Sequence, residues 1–554
     1  MSHPLFEKHQ ATLDAAVAAI HGRGYWTPYA EMPSPKVYGE TAADDGKKAF
    51  DACLGKEFDL GQPGVTGWTS PERSPYGIAL DVRYPVSTPA VLVEAAQAAM
   101  PAWRKVGAQG RVGVCLEILD RLNKRSFEIA HAVMMTSGQG WMMAFQAGGP
   151  HAQDRGLEAV AWAWDEMSRI PAGVVWEKPQ GKNPPLKMQK HYEIVGRGVA
   201  LVIGCGTFPT WNTYPGLFAA LATGNPVIVK AHSNAILPAA LTVRIAREVL
   251  AEQGLDPNTV TLAVVDKRAD TQALATDPAV KSIDFTGSNV FGQWLLDNAR
   301  QAQVYAELAG VNNVVIESTD NYKAMLRNLA FTLSLYAGQM CTTTQAILVP
   351  AGGIDTDQGH KSLDEVAADL GSAIDKFLAD PATATAVLGA IQSEATLARI
   401  DEAGEYGKVV LASRKVEHAD FPKAEVRTPV LLTCDAADEK SYMEERFGPI
   451  SFVVKVADGA AAVALSERIV REHGALTVGI YSTRPEVLEA MTEATLRAGV
   501  ALSINLTGGV FVNQSAAYSD YHGVGMNPAA NASYSDGAFV ANRFRVVQRR
   551  YHVE

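Results

Sequence analysis

Gly198-Val199-Ala200-Leu201-Val202-Ile203-Gly204-Cys205-Gly206 is an apolar run closed by glycines. It shows no polar alternation. It therefore reads as a strand buried on both faces, the kind found in parallel sheets, ending at a ligand crevice. The Gly-x-Gly at 204–206 does not complete Gly-x-Gly-x-x-Gly, so by itself it says little about a dinucleotide. A helix over residues 214–223 and a second buried strand, Pro226-Val227-Ile228-Val229-Lys230, follow. Such alternation builds a doubly wound sheet. Lys230 emerges at a strand's carboxyl end, where these sheets bind ligands. Further on, Ile283 to Gly292 reads as strand, Gly287 turn and helix. Ser288 is its natural N-cap, and the open helix N-terminus suits a pyrophosphate.

Composition limits the possibilities. At 554 residues the chain exceeds one core, and about 150 residues per domain gives roughly three. With 47% hydrophobic and 20% charged residues it has the make-up of a globular protein. A net charge of −11 argues against a nucleic-acid partner, whose footprint is basic. The five cysteines, at 53, 115, 205, 341 and 434, include no CxxC pair, so neither a disulfide framework nor a metal site is expected. The start lacks a basic segment followed by an apolar one, and no apolar run reaches bilayer length. The reading is a cytoplasmic, reduced protein with no membrane partner.

Outward from the 198–206 strand, residues 1–75 read as an N-terminal extension. It carries an amphipathic helix with Leu5, Leu13, Val17 and Ile20 inward, then a Gly/Pro/Ser-rich run from Gly61. Residues 76–86 alternate like a strand. Thr88-Pro89 opens a helix, and helices continue to about residue 168. A second α/β half begins at Gly310, with an acidic helix around 362–379 and a strand returning at 499–505.

The chemistry centres on Tyr336-Ala337-Gly338-Gln339-Met340-Cys341-Thr342-Thr343-Thr344. Glycine and three threonines make poor helix interior, so this stretch reads as an element end that presents Cys341. Taken alone, a lone cysteine is more often a small buried hydrophobe. Other segments change that balance. Glu307 lies 34 residues upstream at the end of a strand-like run. Asn212, in Phe208-Pro209-Thr210-Trp211-Asn212, carries an amide able to donate to an oxyanion. Downstream, Glu445 and Phe447 precede a Gly-Pro turn.

Together these pieces resemble the aldehyde dehydrogenase superfamily. The matching segments are Trp211-Asn212, Gly224 to Lys230, Phe285 to Ser288, Glu307 to Gly310, Gly338 to Cys341 and Glu445 to Pro449. They occur in the family's order over roughly residues 75–510. The resemblance implies an α/β aldehyde dehydrogenase fold of two doubly wound parallel-sheet domains plus a β-strand oligomerisation arm. Residues 76–172 and 198–309 would bind the dinucleotide. Residues 310–505 would carry the nucleophile, 173–197 with 540–554 the arm, and 506–539 a covering segment. Cys341 would be the nucleophile, Glu307 the water-activating base and Asn212 an oxyanion donor. Lys230, His232, Ser233, Gly287, Ser288, Gly292, Glu445 and Phe447 would contact the cofactor.

Two departures from the family pattern carry expectations. Only 18 residues separate Asn212 from Lys230, so the intervening helix should be short. Many NAD-preferring members place an acid three residues after the lysine, and this chain has Ser233. Ser233 repels no 2′-phosphate, and Lys230 and His232 would add positive charge, so NADP is expected, with NAD possible. The arm implies a homodimer or dimer of dimers.

The tail, Ser519 to Asn531 and Phe539 to Arg549, is similar to that of the stand-alone phenylacetic acid degradation (PaaN) branch of the family. That similarity implies 3-oxo-5,6-dehydrosuberyl-CoA semialdehyde as substrate, with the ring-hydrolysing hydratase a separate protein. The alternatives are a CoA-acylating aldehyde dehydrogenase and a non-catalytic binding or scaffold protein on the same fold.

Overall fold

The computed structural model describes residues 3–265, 267–534 and 536–553. Two parallel sheets dominate the described chain. The first has five strands in the order Val260–Ala263, Val227–Lys230, Val199–Ile203, Val280–Thr286 and Gln303–Glu307, all parallel. The strand that opened the sequence reading lies at its centre with all five residues buried. The helix between strands Val199–Ile203 and Val227–Lys230 spans Tyr214–Thr223, is wholly buried, and ends at Gly224 with φ +99°. Its brevity accounts for the short Asn212–Lys230 separation.

The second sheet has seven strands, in the order Lys408–Leu411, Val430–Asp435, Ile450–Val456, Thr344–Pro350, Asn312–Ile316, Thr477–Tyr481 and Ala501–Ile504. Only the first pair is antiparallel. Residues Gly173–Gln180, Asn183–Gly196 and Phe544–His552 form a separate three-stranded antiparallel sheet with Asn183–Gly196 in the middle. Val174, Val175, Leu186, Val546, Val547 and Tyr551 are exposed on it.

The N-terminal segment is built into the body. Its first helix, Pro4–Gly22, buries Phe6, Leu13, Ala16 and Ile20 against the helices Gly107–Lys124 and Pro150–Ser168. Leu5 and Val17 are only partly buried. The Gln62 carboxamide donates to the Leu262 carbonyl (3.0 Å) and accepts from its N–H (3.1 Å), continuing the ladder at the sheet's edge. Glu72 accepts from the Leu237 N–H at 2.9 Å, satisfying a helix N-terminus.

The strand expected over 76–86 is not continuous. Only Tyr84–Ser87 is a strand, pairing with Val65–Thr69 inside the Gly/Pro/Ser-rich run. Gly77 at φ +73° and Asp81 at φ +47° break the extended path. The alternation there reflects single anchors such as Tyr76, whose hydroxyl donates to the Gln139 carbonyl at 2.8 Å.

Residues 506–534 run back across both sheets. Leu308 N–H donates to the Ala529 carbonyl (2.8 Å). The Asn531 side chain accepts from Ala306 N–H (2.8 Å) and donates to the Val304 carbonyl (3.0 Å). The free edge of the Gln303–Glu307 strand is thereby covered. A buried bidentate pair ties the following segment down: Arg543 donates to Asp284 at 2.8 and 2.6 Å.

Candidate active site

The carboxyl ends of the first sheet and the Cys341 loop enclose one crevice of about 720 Å³. That size is ordinary for a small-molecule or cofactor site.

Local backbone geometry sets Cys341. Helix Tyr322–Ser334 ends in a tight turn whose Tyr336, Ala337 and Gly338 all have left-handed φ (52°, 46° and 62°). For the two non-glycine residues this costs about 1–2 kcal/mol each. The buried Tyr336 side chain, whose hydroxyl donates to the Ser137 carbonyl, holds the turn. Gly338 is required by contact: a Cβ there would lie 2.3 Å from the Gly448 carbonyl oxygen. That close approach brings the Glu445–Phe447 loop beside the Cys341 loop. The Asn312 amide clamps the other side, donating to the Cys341 and Thr343 carbonyls at 2.8 and 3.0 Å.

Glu307 ends its strand in the same crevice and is buried. Cys341 Sγ, a Glu307 carboxylate oxygen and a His522 ring nitrogen all lie within 4.8 Å of one another. His522 Nε2 is 3.1 Å from Glu307 Oε2, and Glu307 Oε1 is buried with no hydrogen-bond partner. Burial pushes the Glu307 carboxyl up. The charge and hydrogen bond of His522, then the nearby Cys341 thiol and Tyr534 hydroxyl, outweigh it, so the net displacement is downward and Glu307 is a carboxylate at neutral pH. The Cys341 thiol is displaced the other way. Burial, then the negative charge of Glu307, push it far above its ordinary value, so it rests protonated.

Asn212 lies in the turn before helix Tyr214–Thr223. Its Oδ1 accepts from the Cys205 thiol at 3.5 Å, and its Nδ2 is buried without a partner. An orphaned amide donor lining a crevice is suited to a ligand oxygen.

Other expected contacts distribute unevenly. Lys230, His232, Ser233, Gly287, Ser288, Glu445 and Phe447 line the crevice. Ser288 caps helix Asn289–Asn298 by accepting from Phe291 N–H at 3.5 Å. Gly287 N–H is taken by the Glu307 carbonyl (3.0 Å). Gly292 does not line the crevice. A Cβ there would meet the Leu308 side chain at 2.1 Å, so this glycine serves helix packing. His232 does not add positive charge either. Burial, reinforced by Lys230, lowers its pKa to about 4, and Nδ1 accepts from the Asn234 N–H at 3.2 Å. Glu445 is pushed up to about 7 by burial, opposed by Arg399.

Sequence reading missed His522. Its only local signal was a histidine beside glycine in a tail rich in small residues, 215 positions from the carboxylate it meets.

A model of the aldehyde dehydrogenase family matches residues 89–523. The chain belongs to the aldehyde dehydrogenase family. An NAD-dependent aldehyde dehydrogenase from Burkholderia multivorans is 60% identical over the whole of both chains, with a TM-score of 0.99. A 1-pyrroline-5-carboxylate dehydrogenase from Thermus with bound NAD shares the fold. It is 17% identical with a TM-score of 0.72, over 96% of this chain and 99% of the other. The N-succinylglutamate 5-semialdehyde dehydrogenase of Chromobacterium violaceum is 29% identical over 68% of this chain and 73% of its own length.

The dehydrogenase is thus an NAD(P)-dependent oxidoreductase acting on aldehydes, and the site fits such a cofactor. Gly204 and Gly206 leave no space for a side chain: Cβ atoms there would lie 2.9 Å from Thr213 Oγ1 and 2.8 Å from Gln392 Oε1. Both glycines and the Ser288-capped helix start line the crevice at the sheet's carboxyl edge, where such folds bind a dinucleotide.

Proposed function

We propose that this dehydrogenase oxidises a semialdehyde to the carboxylate through a thioester on Cys341. The observation that carries the reading is the juxtaposition of the Cys341 thiol and the Glu307 carboxylate in a crevice that also receives the unpartnered Asn212 amide.

Cys341 sulfur attacks the aldehyde carbon, and Glu307 stands beside the thiol to take its proton. The Asn212 amide, with the backbone N–H of Cys341, holds the oxyanion, each such donor contributing on the order of 10²–10³ in rate. NAD(P), when bound, supplies the hydride acceptor. Loss of hydride leaves the acyl group on Cys341 as a thioester. With its proton released, Glu307 takes a proton from water. The resulting hydroxide displaces sulfur, freeing the carboxylate, an assistance worth roughly 10²–10⁴.

The semialdehyde class is supported by the name of the Chromobacterium relative. The finer substrate, 3-oxo-5,6-dehydrosuberyl-CoA semialdehyde, is supported by the tail resemblance alone. For the cofactor, Lys230, Lys267 and Arg268 line the crevice together with Ser233. Among the described lining residues the only carboxylates are Glu307 and Glu445. This supports NADP as a good cofactor, although the Burkholderia relative is named NAD-dependent. Measuring kcat/KM for both cofactors with CoA-bearing, aliphatic and aromatic aldehydes decides these points, and a marked NAD preference rejects NADP.

Glu307→Gln tests the chemistry. It should give a burst of about one reduced cofactor per site, slower than in wild type because the thiol loses its proton acceptor, then a steady rate lower by roughly 10²–10⁴. Wild-type steady turnover would reject the role. Turnover that requires free CoA would point to thiolysis instead of hydrolysis.

A further inference from the structure

We propose that His522, delivered by the C-terminal covering segment, is the positioning residue of Glu307, so that the tail sets the water-activating group. The inference rests on the reading of Glu307 as the base.

The geometry allows one hydrogen-bond sense. With Glu307 ionised, its oxygens only accept, so His522 Nε2–H donates to Oε2 at 3.1 Å. Both residues are buried, His522 to 5% and Glu307 to 3% exposure, so water does not substitute for the contact. Tying down Oε2 leaves Oε1, which has no partner, as the free acceptor. The imidazole is itself fixed. The Trp211 ring meets it edge-on at 4.7 Å, and the Tyr534 ring lies 5.9 Å away. Tyr534 N–H donates to the His522 carbonyl (3.3 Å), and its hydroxyl pairs with Thr286 Oγ1 at 3.1 Å. Trp211 adjoins Asn212, so one aromatic packs against the positioning residue from the segment that carries the oxyanion donor.

The titratable groups around Glu307 are His522 and Tyr534 from the tail and Cys341 from the turn. Cys205 and Glu445 lie beyond the thiol. Cys205 is pushed up to about 11 by burial, so it is neutral, and Glu445 carries no positive charge. Tyr534 is held neutral by burial. His522 is therefore the group of this set whose ring nitrogen is placed to hydrogen-bond Oε2 of the carboxylate, at 3.1 Å.

His522→Phe keeps a ring against Trp211 and removes the donor, whereas His522→Gln keeps a donor near Nε2. Deacylation should be followed by single-turnover kinetics against pH. In His522→Phe the acidic limb should move up by about one to two pH units, with a deacylation rate near neutrality reduced at least about tenfold. The burst amplitude and cofactor affinity should remain those of wild type. His522→Gln should recover most of the rate. A wild-type acidic limb in His522→Phe overturns the proposal. Equal impairment in a folded His522→Gln also overturns it, since shape rather than donation would then matter. If His522→Phe does not fold, His522→Leu serves as the donor-free variant and is judged by the same two outcomes against His522→Gln. Glu307→Gln run in parallel separates the premises. If that variant turns over normally, the base assignment fails. If it stalls while His522→Phe behaves as wild type, only the tail's role fails.

Discussion

Replacing Asn212 by alanine should lower activity sharply while leaving stability almost unchanged. In the free protein the Asn212 Nδ2 is buried and unpartnered. A buried donor without an acceptor disfavours the folded state by about 1–3 kcal/mol. Truncation relieves that penalty but also leaves a small void and removes the acceptor of the Cys205 thiol. These opposed terms are of similar size, so Tm should stay within about 3 °C of wild type. The transition state has no such compensation. Losing one preorganised oxyanion donor reduces rate by about 10²–10³, or about 2.7–4 kcal/mol. Reduced-cofactor absorbance at subsaturating aldehyde gives kcat/KM, and a thermal melt of the same preparation gives Tm. A folded variant within about threefold of wild-type kcat/KM would refute the oxyanion assignment. A large loss of Tm would refute the view that this amide is kept for ligand at the expense of stability.

Alkylation of Cys341 in the cofactor-free protein should be slow and should accelerate about tenfold per pH unit across the range from about 7 to 9, because the thiol is held protonated. Peptide mapping after iodoacetamide, with Cys205 as internal comparison, reads this directly; a pH-independent rate would mean the thiolate already exists. Stability against pH should peak on the mildly acidic side. Glu72 and Glu445 titrate at about 7 and Asp154 at about 8, all raised by burial, so the folded state holds protons that the unfolded chain releases above its ordinary carboxyl range. Between about pH 4 and 6.5 the buried His131 and His232, both lowered to about 4, oppose this trend, because the unfolded chain takes up their protons; stability therefore falls as pH rises from about 6.5 to 8. Below that window it falls again, because Glu307 is displaced downward and Glu117 titrates at about 2. A melt series with Tm rising monotonically from pH 5 to 8 would contradict the balance.

The elements legible in the sequence share a property: their pattern is local and closed by punctuation. The strand Val199–Ile203 sits between glycines, and helix Tyr214–Thr223 lies between a proline-containing turn and Gly224. Ser288 caps as read, because capping is decided within four residues. The failures depend on neighbours distant in the chain. Residues 76–83 alternate, yet each inward residue finds its own pocket and no ladder forms. His232 next to Lys230 looked like added charge. Burial, which no local pattern encodes, together with the charge of Lys230 itself, makes it neutral. Gly292 looked like part of a cofactor turn, but a Cβ there would meet the side chain of Leu308, the residue just after the strand Gln303–Glu307.

His522 is the sharpest case, and it changes how the C-terminal segment is understood. A segment that only covered a sheet edge would need backbone hydrogen bonds and small side chains, which Ala529, Ala530 and Asn531 provide. It would not need to bury an imidazole against a carboxylate. Burial alone pushes Glu307 toward the neutral acid, a form that cannot accept a proton from water, and the strand that carries it supplies no compensating cation. The compensation comes from residues 522 and 534, on either side of the edge-covering stretch. The same turn of chain that seals the edge of the first sheet therefore also fixes the ionisation of the group at that strand's end. Losing the tail's docking should disable deacylation even where the thiol, the amide and the crevice remain intact.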